Sequence, residues 1–337
     1  MMDFMSLLTA IPEHTNFIAK FIEVLNNGIF NSGVTVGTFG VTVIVFTLIF
    51  KFALLPLDLW QKFSMRKQNK TMERLRPQLE KLEKQYANQP DKLKQKQAEL
   101  QKGQLGGMFG SCLPMIVTMV VFFVVLGGFN DYIRVENEKI VYTIAEAYNT
   151  ALANGTSLSP EQIAGMYHIE KFLWISNIYM PDTWSAVIPT MEQYVGSGMG
   201  ALNATRPDIA NIPNWYEVLI KPAADVYNKS SFWNIGKWNG YLVLPILSII
   251  TSILSAKLLG TSQANTAMGT KEQQKSAQKT QKFMNYIMPV MFGVFSLFYS
   301  SAFALYIFIS SLFSTIFNLI FNLISKNVDK KKAEIVA

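Results

Sequence analysis

The sequence predicts an all-α integral membrane protein, a five-transmembrane-helix bundle with a cytoplasmic antiparallel helical hairpin and an extended extracytoplasmic loop. Three observations carry that prediction. Of the 337 residues, 50% are hydrophobic and 16% are charged, against a globular norm of about 25% charged. The apolar residues gather in stretches long enough to cross a bilayer. The basic residues divide unequally among the segments between those stretches. The single cysteine excludes a disulfide scaffold and a cysteine-based metal site, and the two histidines, His14 and His168, leave little for a histidine cluster. No cofactor is expected.

The first residues do not suit a secretory signal peptide, because a basic n-region is lacking and Asp3 comes early. The extracytoplasmic N-terminus, residues 1–37, contains TNFIAKFIEVL (15–25), whose apolar positions 17, 18, 21, 22, 24 and 25 have helical spacing. It reads as an interfacial amphipathic helix, the alternative being a helix packed on the outer loop. A span needs about 20 mostly apolar residues. Five segments qualify: 38–57, 111–128, 241–260, 283–299 and 302–324. The uncharged run 283–325 is too long for one helix across the bilayer, and Tyr299-Ser300-Ser301 offers the tight turn that makes it two.

Segment 58–110 is polar and rich in helix formers. Leu75, Leu79, Leu82 and Tyr86 share one stripe, Leu93 and Leu100 another, and Asn88-Gln89-Pro90-Asp91 breaks them apart. That is the pattern of a helical hairpin, here with a net charge of +6. Such an arm suits anionic headgroups, ribosomal RNA or acidic nascent chains, or a solvated face that only fixes topology.

Orientation follows from charge. Segments 58–110, 261–282 and the tail carry 12, 4 and 4 Lys or Arg; the N-terminal segment and the loop 129–240 carry 1 and 7. The positive-inside rule places the first group in the cytoplasm, with the N-terminus outside and the basic tail 325–337 inside the cell membrane. A sixth span in Trp184–Leu202 would break the parity; Pro189, Glu192, Gln193 and its glycine and serine positions argue against it.

Lys51 stands inside the first span, seven positions before Asp58, so roughly 10 Å deep at 1.5 Å per residue. A lysine there costs about 3 kcal/mol or more and marks a function or a wet cavity, unless its stem snorkels to the headgroups. Thr47 and Asp58 share its helical face, and Gly40 continues the stripe outward. The third span carries Ser248, Thr251, Ser252 and Ser255 on one face. The last carries Tyr306, Ser310, Ser314 and Asn318, with Ser311, Thr315 and Asn322 beside them. Each stripe alone suits helix packing. Together with a buried cation they suggest a shared polar cavity. The second and fourth spans are smoother. Met115, Met119, Met288 and Met291, with Met284, give them a flexible apolar surface for variable hydrophobic partners. No catalytic constellation, phosphate loop, HExxH or CxxC accompanies the stripes.

Several segments resemble the YidC (Oxa-type) membrane protein insertase family. GVTVIVFTLIFKFALLPLDLWQKFSMRK (40–67) is similar to its first core span and hairpin entry, RPQLEKLEKQYANQPDKLKQKQAEL (76–100) to the hairpin, and GSCLP (110–114) to the next span entry. FLWI (172–175) with Pro181-Asp182 resembles the outer loop. YLVLPILSIITSILSAK (241–257) and KFMNYIMPVMFGVFSLFYSSAFALYIFISSLFS (282–314) resemble the last three spans. The resemblance implies a non-enzymatic insertase and chaperone that moves nascent membrane proteins from the cytoplasm into the bilayer through a hydrophilic groove. Its partners are nascent chains and membrane lipid, with the ribosome and the Sec translocon as further candidates, and no specific nucleic acid sequence.

By motif position Lys51 takes the place of a groove arginine, Thr47 that of a groove threonine and Tyr306 an aromatic position. Thr118 stands where glutamine is common, and Ser300-Ser301-Ala302 replaces a proline-glycine turn. The loop 130–240 is far longer than usual for the family. A small transporter or channel using Lys51 is the alternative; it predicts an inverted repeat, and none is found. A membrane-embedded enzyme is a second, with only Asp58 as an acid or base at a span end.

Overall fold

The computed structural model describes residues 12–33, 37–86, 89, 91–93, 95–96, 99, 105–228, 233–263, 279, 287, 290–291 and 293–336. Among them the chain is helical with no strand, only an isolated bridge between Phe172 and Ile175. The helices are α1 (Phe17–Asn31), α2 (Thr38–Gln85), α3 (Leu105–Ala153), α4 (Pro160–Met166), α5 (Met191–Gly196), α6 (Leu202–Thr205), α7 (Pro207–Ala210), α8 (Lys221–Tyr227), α9 (Val243–Gln263) and α10 (Ser301–Val336). Within α2 and α10, Thr38–Ser64 and Ser301–Ser325 are long and apolar enough to cross a membrane, and Val243–Leu258 of α9 is a shorter apolar helix.

The predicted span ends are not helix ends. The first span and the first hairpin arm form one 48-residue helix, α2, which runs through Pro56 and Pro77. The second span continues into a 49-residue helix, α3, that ends at Ala153. The hairpin break falls just after α2, and Leu79 and Leu93, one on each side of it, are buried. The second arm and the segment 261–282 lie mostly outside the described residues, and the expected fourth span 283–299 is described in part, at 287, 290–291 and 293–299. Turns over 296–298 come a few residues ahead of the expected Tyr299-Ser300-Ser301, and α10 begins at Ser301.

The chain divides into two compact units, one formed by residues 1–46, 123–246 and 294–306 and the other by 47–122, 247–293 and 307–337.

In the first unit α1 starts on an Asn16 side chain that accepts from the Ile18 amide. The Asp131 carboxylate of α3 accepts from the Thr15 and Asn16 amides at 3.2 and 3.1 Å. Ile18, Ala19 and Ile22 are buried, and Ile18 fills the space over Gly128. So one face of α1 packs on the protein, while Phe17, Val24 and Phe30 are exposed. Lys139 ties α3 back to α1 by an ion pair to Glu23 at 3.2 Å and pairs within α3 with Glu136 at 2.8 Å.

The sequence describes segment 129–240 only as an enlarged loop. It is folded around its own core, in which Val141, Ile144, Ile163, Ile188, Tyr194 and Trp215 are buried. Rings of Tyr194 and Trp215 meet edge to face at 5.4 Å, and the hydroxyls of Tyr167 and Tyr194 lie 3.3 Å apart. Its helices are short, and two open with capping boxes, Ser159 with Gln162 and Thr190 with Gln193. The six-residue α5 occupies part of Trp184–Leu202, where a sixth span was weighed and rejected. Its core was not legible in advance, because Ile140, Val141, Ile144 and Tyr148 continue the helical period of α3 beyond the apolar segment, and the remaining core residues are scattered over short helices and the turns between them.

Asp182 organises the entry to α9. Fully buried, it accepts from the amides of Tyr241 and Leu244, each at 2.7 Å, and from the Trp174 indole at 3.4 Å. A carboxylate at a helix start meets both the orphan amides and the positive end of the dipole. Beside it Asn239 donates to the carbonyls of Asn177 and Pro181 and accepts from the Asn177 amide. Ser301 donates through its amide and hydroxyl to the Met180 carbonyl, at 2.8 and 2.6 Å, which fixes the start of α10.

Candidate functional site

Three of the predicted polar stripes, on α2, α9 and α10, meet in the second unit. Lys51 Nζ of α2 donates to Ser314 Oγ of α10 at 3.3 Å. About one turn beyond Asp58, Lys62 donates to Asn318 Oδ1 and lies over the rings of Phe317 and Phe321 at 5.0 and 4.9 Å. Arg66 donates to the Ser325 carbonyl at 3.4 Å. Between these rungs Phe52 meets Phe313 and Phe63 meets Phe321, at 5.3 and 5.6 Å. The rungs ascend in both chains together, so α2 and α10 run parallel.

The other side of α10 is joined to α9. Ser311 and Ser252 share a hydroxyl hydrogen bond of 2.8 Å. Thr315 donates to the Thr251 carbonyl at 3.1 Å, and Asn318 Nδ2 to Ser255 Oγ at 3.0 Å. Asn322 donates to the Leu258 carbonyl at 3.1 Å. These rungs also ascend together, so α9 lies parallel to α10. Hydroxyl and amide groups that would be costly bare in an apolar medium are satisfied across the seam. Asn318 is the node: its carbonyl faces α2 and its amide nitrogen faces α9.

The residues anticipated from sequence therefore fall into groups. Lys51 and Ser314 are brought together, and Ser314 in turn donates to the Ser310 carbonyl. Ser252 and Ser255 turn their hydroxyls to α10, whereas Thr251 offers it only a backbone carbonyl and donates its own hydroxyl to the Leu247 carbonyl at 2.8 Å. Thr47 and Ser248 are buried. Tyr306 belongs to the first unit, where it is buried in an aromatic cluster with Phe46, Phe129 and Phe303 at centroid distances of 6.3, 5.8 and 5.9 Å. Gly40 makes room for the Phe172 ring rather than continuing a polar stripe. Met119 and Met291 are exposed. The side chains of Thr118, Met115 and Met288 lie outside the described residues.

Lys62 was missed. Counted from sequence among the basic residues of the hairpin, it is 9% exposed and sits on the Lys51 face. The signal was present: 51, 58 and 62 are i, i+7 and i+11, one helical stripe. Asp58 lies in electrostatic reach of both lysines. The stripe therefore carries two cations and one anion, about 16 Å from Lys51 to Lys62 along the helix. Beyond it Phe63, Arg66, Lys67, Lys70, Thr71 and Arg74 line a cleft of about 350 Å³ whose ionisable side chains are all basic. A ladder of this kind carries charge complementary to anionic groups; among the described residues no group of three or more His, Cys, Asp or Glu is placed to hold a metal ion.

Long apolar helices cross-linked by buried hydroxyls, with cations held along an apolar face, define an all-helical membrane protein with a polar interior stripe. Residues 30–330 match the family described as 60Kd inner membrane protein. The chain belongs to that family, the YidC/Oxa-type family indicated by its motifs.

Among similar proteins, "Membrane protein insertase YidC" of Fusobacterium nucleatum is 36% identical over 112 residues, covering 33% of this chain and 51% of the relative. The protein of the same name from Clostridium tetani is 28% identical over 189 residues, 56% of this chain and 66% of the relative. That from Leptospira interrogans is 28% identical over 167 residues, 49% of this chain and 21% of the relative. The matched region thus spans about half of the first relative's length and about a fifth of the third's.

Proposed function

We propose that the protein is a membrane protein insertase and chaperone of the cell membrane, which passes nascent membrane proteins from the cytoplasm into the bilayer without a catalytic step. The relatives' shared name supports the activity. The observation that carries the mechanism is the Lys51–Ser314 pair, a cation set among the apolar residues of a candidate span and tied to a second candidate span.

In this reading the chain crosses the membrane five times, with the N-terminus outside and the hairpin and tail in the cytoplasm. An alternating chain requires its first, third and fifth spans to run parallel, and the rungs joining α2, α9 and α10 agree with that. The basic hairpin and the cleft from Phe63 to Arg74 receive the polar flank of a nascent segment. Lys62 and then Lys51 attract acidic residues of the short tail being translocated. At ~4 Å and an effective dielectric near 20, each attraction is worth about 4 kcal/mol before desolvation. Ser310, Ser314 and Thr47 keep the path polar, and the substrate helix leaves past Met115, Met119, Met288 and Met291, drawn by hydrophobic transfer into lipid. Nascent chains and lipid are the partners, with the ribosome and the Sec translocon upstream.

The test is insertion of a single-span substrate with an acidic tail into proteoliposomes. Lys51→Ala lowers insertion about tenfold or more, as loss of some 1.4 kcal/mol would, while Lys51→Arg stays within about two-fold. Normal insertion by the alanine variant at equal reconstitution overturns the groove-charge mechanism.

A further inference from the structure

Leu173 adopts φ +52°, in the left-handed region. It sits at the tip of a two-residue turn, closed by hydrogen bonds from the Phe172 amide to the Ile175 carbonyl at 3.1 Å and from the Ile175 amide to the Phe172 carbonyl at 2.9 Å. Glycine is the residue such a position favours. A leucine there is strained, and packing does not compensate, because Leu173 is 74% exposed. Its neighbours Phe172 and Ile175 are buried. The turn thus holds a large apolar side chain out into the surroundings.

The location of the tip says with what. The Phe172 ring rests on Gly40, two residues into α2. Trp174 donates to Asp182, which holds the start of α9. Met180 of the same segment holds the start of α10. Leu173 thus projects at the level where three helices begin. Around the entry to α9, Trp184, Trp238 and Tyr241 form a chain of rings at 6.4 and 6.3 Å, and Trp184, Ile235 and Tyr241 are exposed. The ionisable neighbours suit a headgroup zone: Asp182 is buried, and Lys171 and Lys237 are exposed. Tyr and Trp with flanking lysines are the composition of a membrane–water interface. From Tyr241 an exposed apolar stripe continues into α9 through Ile246, Ile250 and Leu254.

We propose that Leu173, with Trp184, Ile235, Trp238 and Tyr241, forms a collar that inserts into the headgroup–acyl boundary of the outer leaflet and seats the folded segment 129–240 on the lipid surface. The collar rests on the reading that α9 crosses the bilayer.

The test uses the full chain with Cys112→Ser, labelled with an environment-sensitive fluorophore at Leu173→Cys, Glu192→Cys or Ile250→Cys. Each is reconstituted into phosphatidylethanolamine–phosphatidylglycerol vesicles carrying nitroxides at the headgroup or deep in the acyl chain. The label at 173 is quenched by the headgroup nitroxide about two-fold or more above the label at 192, as an interfacial position requires. The label at 250 is quenched by the acyl nitroxide. Quenching at 250 with none at 173 overturns the collar alone, whereas no quenching at 250 overturns the membrane reading beneath it. Shielding of position 173 only when a nascent substrate is present assigns the tip to a protein and also overturns the collar. Leu173→Gly keeps the turn: it retains folding in detergent and weakens binding of the protein's outer segment to lipid, and unchanged lipid shielding of a label at Trp184→Cys in that background counts against Leu173.

Discussion

A β-carbon on Gly40 would occupy the space taken by the Phe172 ring. The two residues lie more than a hundred positions apart, yet their contact sets how closely the FLWI turn approaches the first long apolar helix. Gly40→Ala therefore forces a shift of helix or ring and costs about 1–3 kcal/mol, the usual penalty of overpacking. Thermal unfolding in detergent reads the loss. Phe172→Ala in the Gly40→Ala background recovers part of it, and strictly additive losses would refute the steric reading.

Asn318 joins both neighbours of α10, so its removal outweighs that of a single seam hydroxyl. Asn318→Ala leaves Lys62 and Ser255 without their present partner and costs about 1–3 kcal/mol. Ser252→Ala, which removes one hydroxyl pair, costs about 0.6 kcal/mol. A double-mutant cycle of Asn318→Ala with Lys62→Met gives a coupling energy well away from zero if Asn318 is the node.

Asp182→Ala strips the acceptor from the Tyr241 and Leu244 amides at the start of α9. About 1–3 kcal/mol follows for each group left unsatisfied. Asp182→Asn keeps one acceptor and loses less. Limited proteolysis around 235–245, together with the melting temperature, separates the three proteins in the order wild type, Asn, Ala.

Acid destabilises the contact between α1 and α3. Burial favours the neutral form of Asp131, but the Asn16 amide, the Arg134 guanidinium and the Thr15 amide outweigh it and hold the carboxyl below its ordinary 3.8. Glu136 is likewise held low: burial opposes this, and His14 and Lys139 outweigh it. A depressed carboxyl stabilises the fold at pH above its ordinary value, and that stability is lost as pH falls through the depressed value. The wild type therefore loses melting temperature below about pH 4, on the order of 2–4 °C per kcal/mol lost. Asp131→Asn is less stable at neutral pH and shows a shallower acid decline; parallel profiles would refute the assignment.

What the residues disclosed in advance follows from how local the signals are. The first and last long apolar helices, and the turn before Ser301, are written in uninterrupted composition. The capping boxes at Ser159 and Thr190 are local as well, but a box of four residues marks a helix start without showing what the helix packs on, and neither was read from the sequence. The polar faces of α9 and α10 were visible as periodicity, but periodicity does not name a partner. Ser252 and Ser255, read as cavity residues, are turned to Ser311 and Asn318 instead. Lys62 was hidden because a basic residue next to other basic residues looks solvated until its helical phase is compared with Lys51. The core of 129–240 was illegible for a related reason. Short helices carry too few turns for a period to stand out, and residues such as Trp215 find Tyr194 only through tertiary folding. Asp182 acts on amides some 60 residues further along the chain, which no local pattern encodes.

The helix α3 runs without a break from its apolar part into the core of the folded segment, where Val141, Ile144 and Ala145 are its contribution. Within the first unit, the continuous helix after Phe129 sets which way these side chains face. Each residue inserted or deleted between Phe129 and Ile140 would turn everything that follows by about 100° and move it by about 1.5 Å. Changes in length at this junction are therefore tolerated in steps, with three or four residues, one full turn, far milder than one or two. The facing of Val141, Ile144 and Ala145 toward their core is stored in a residue count.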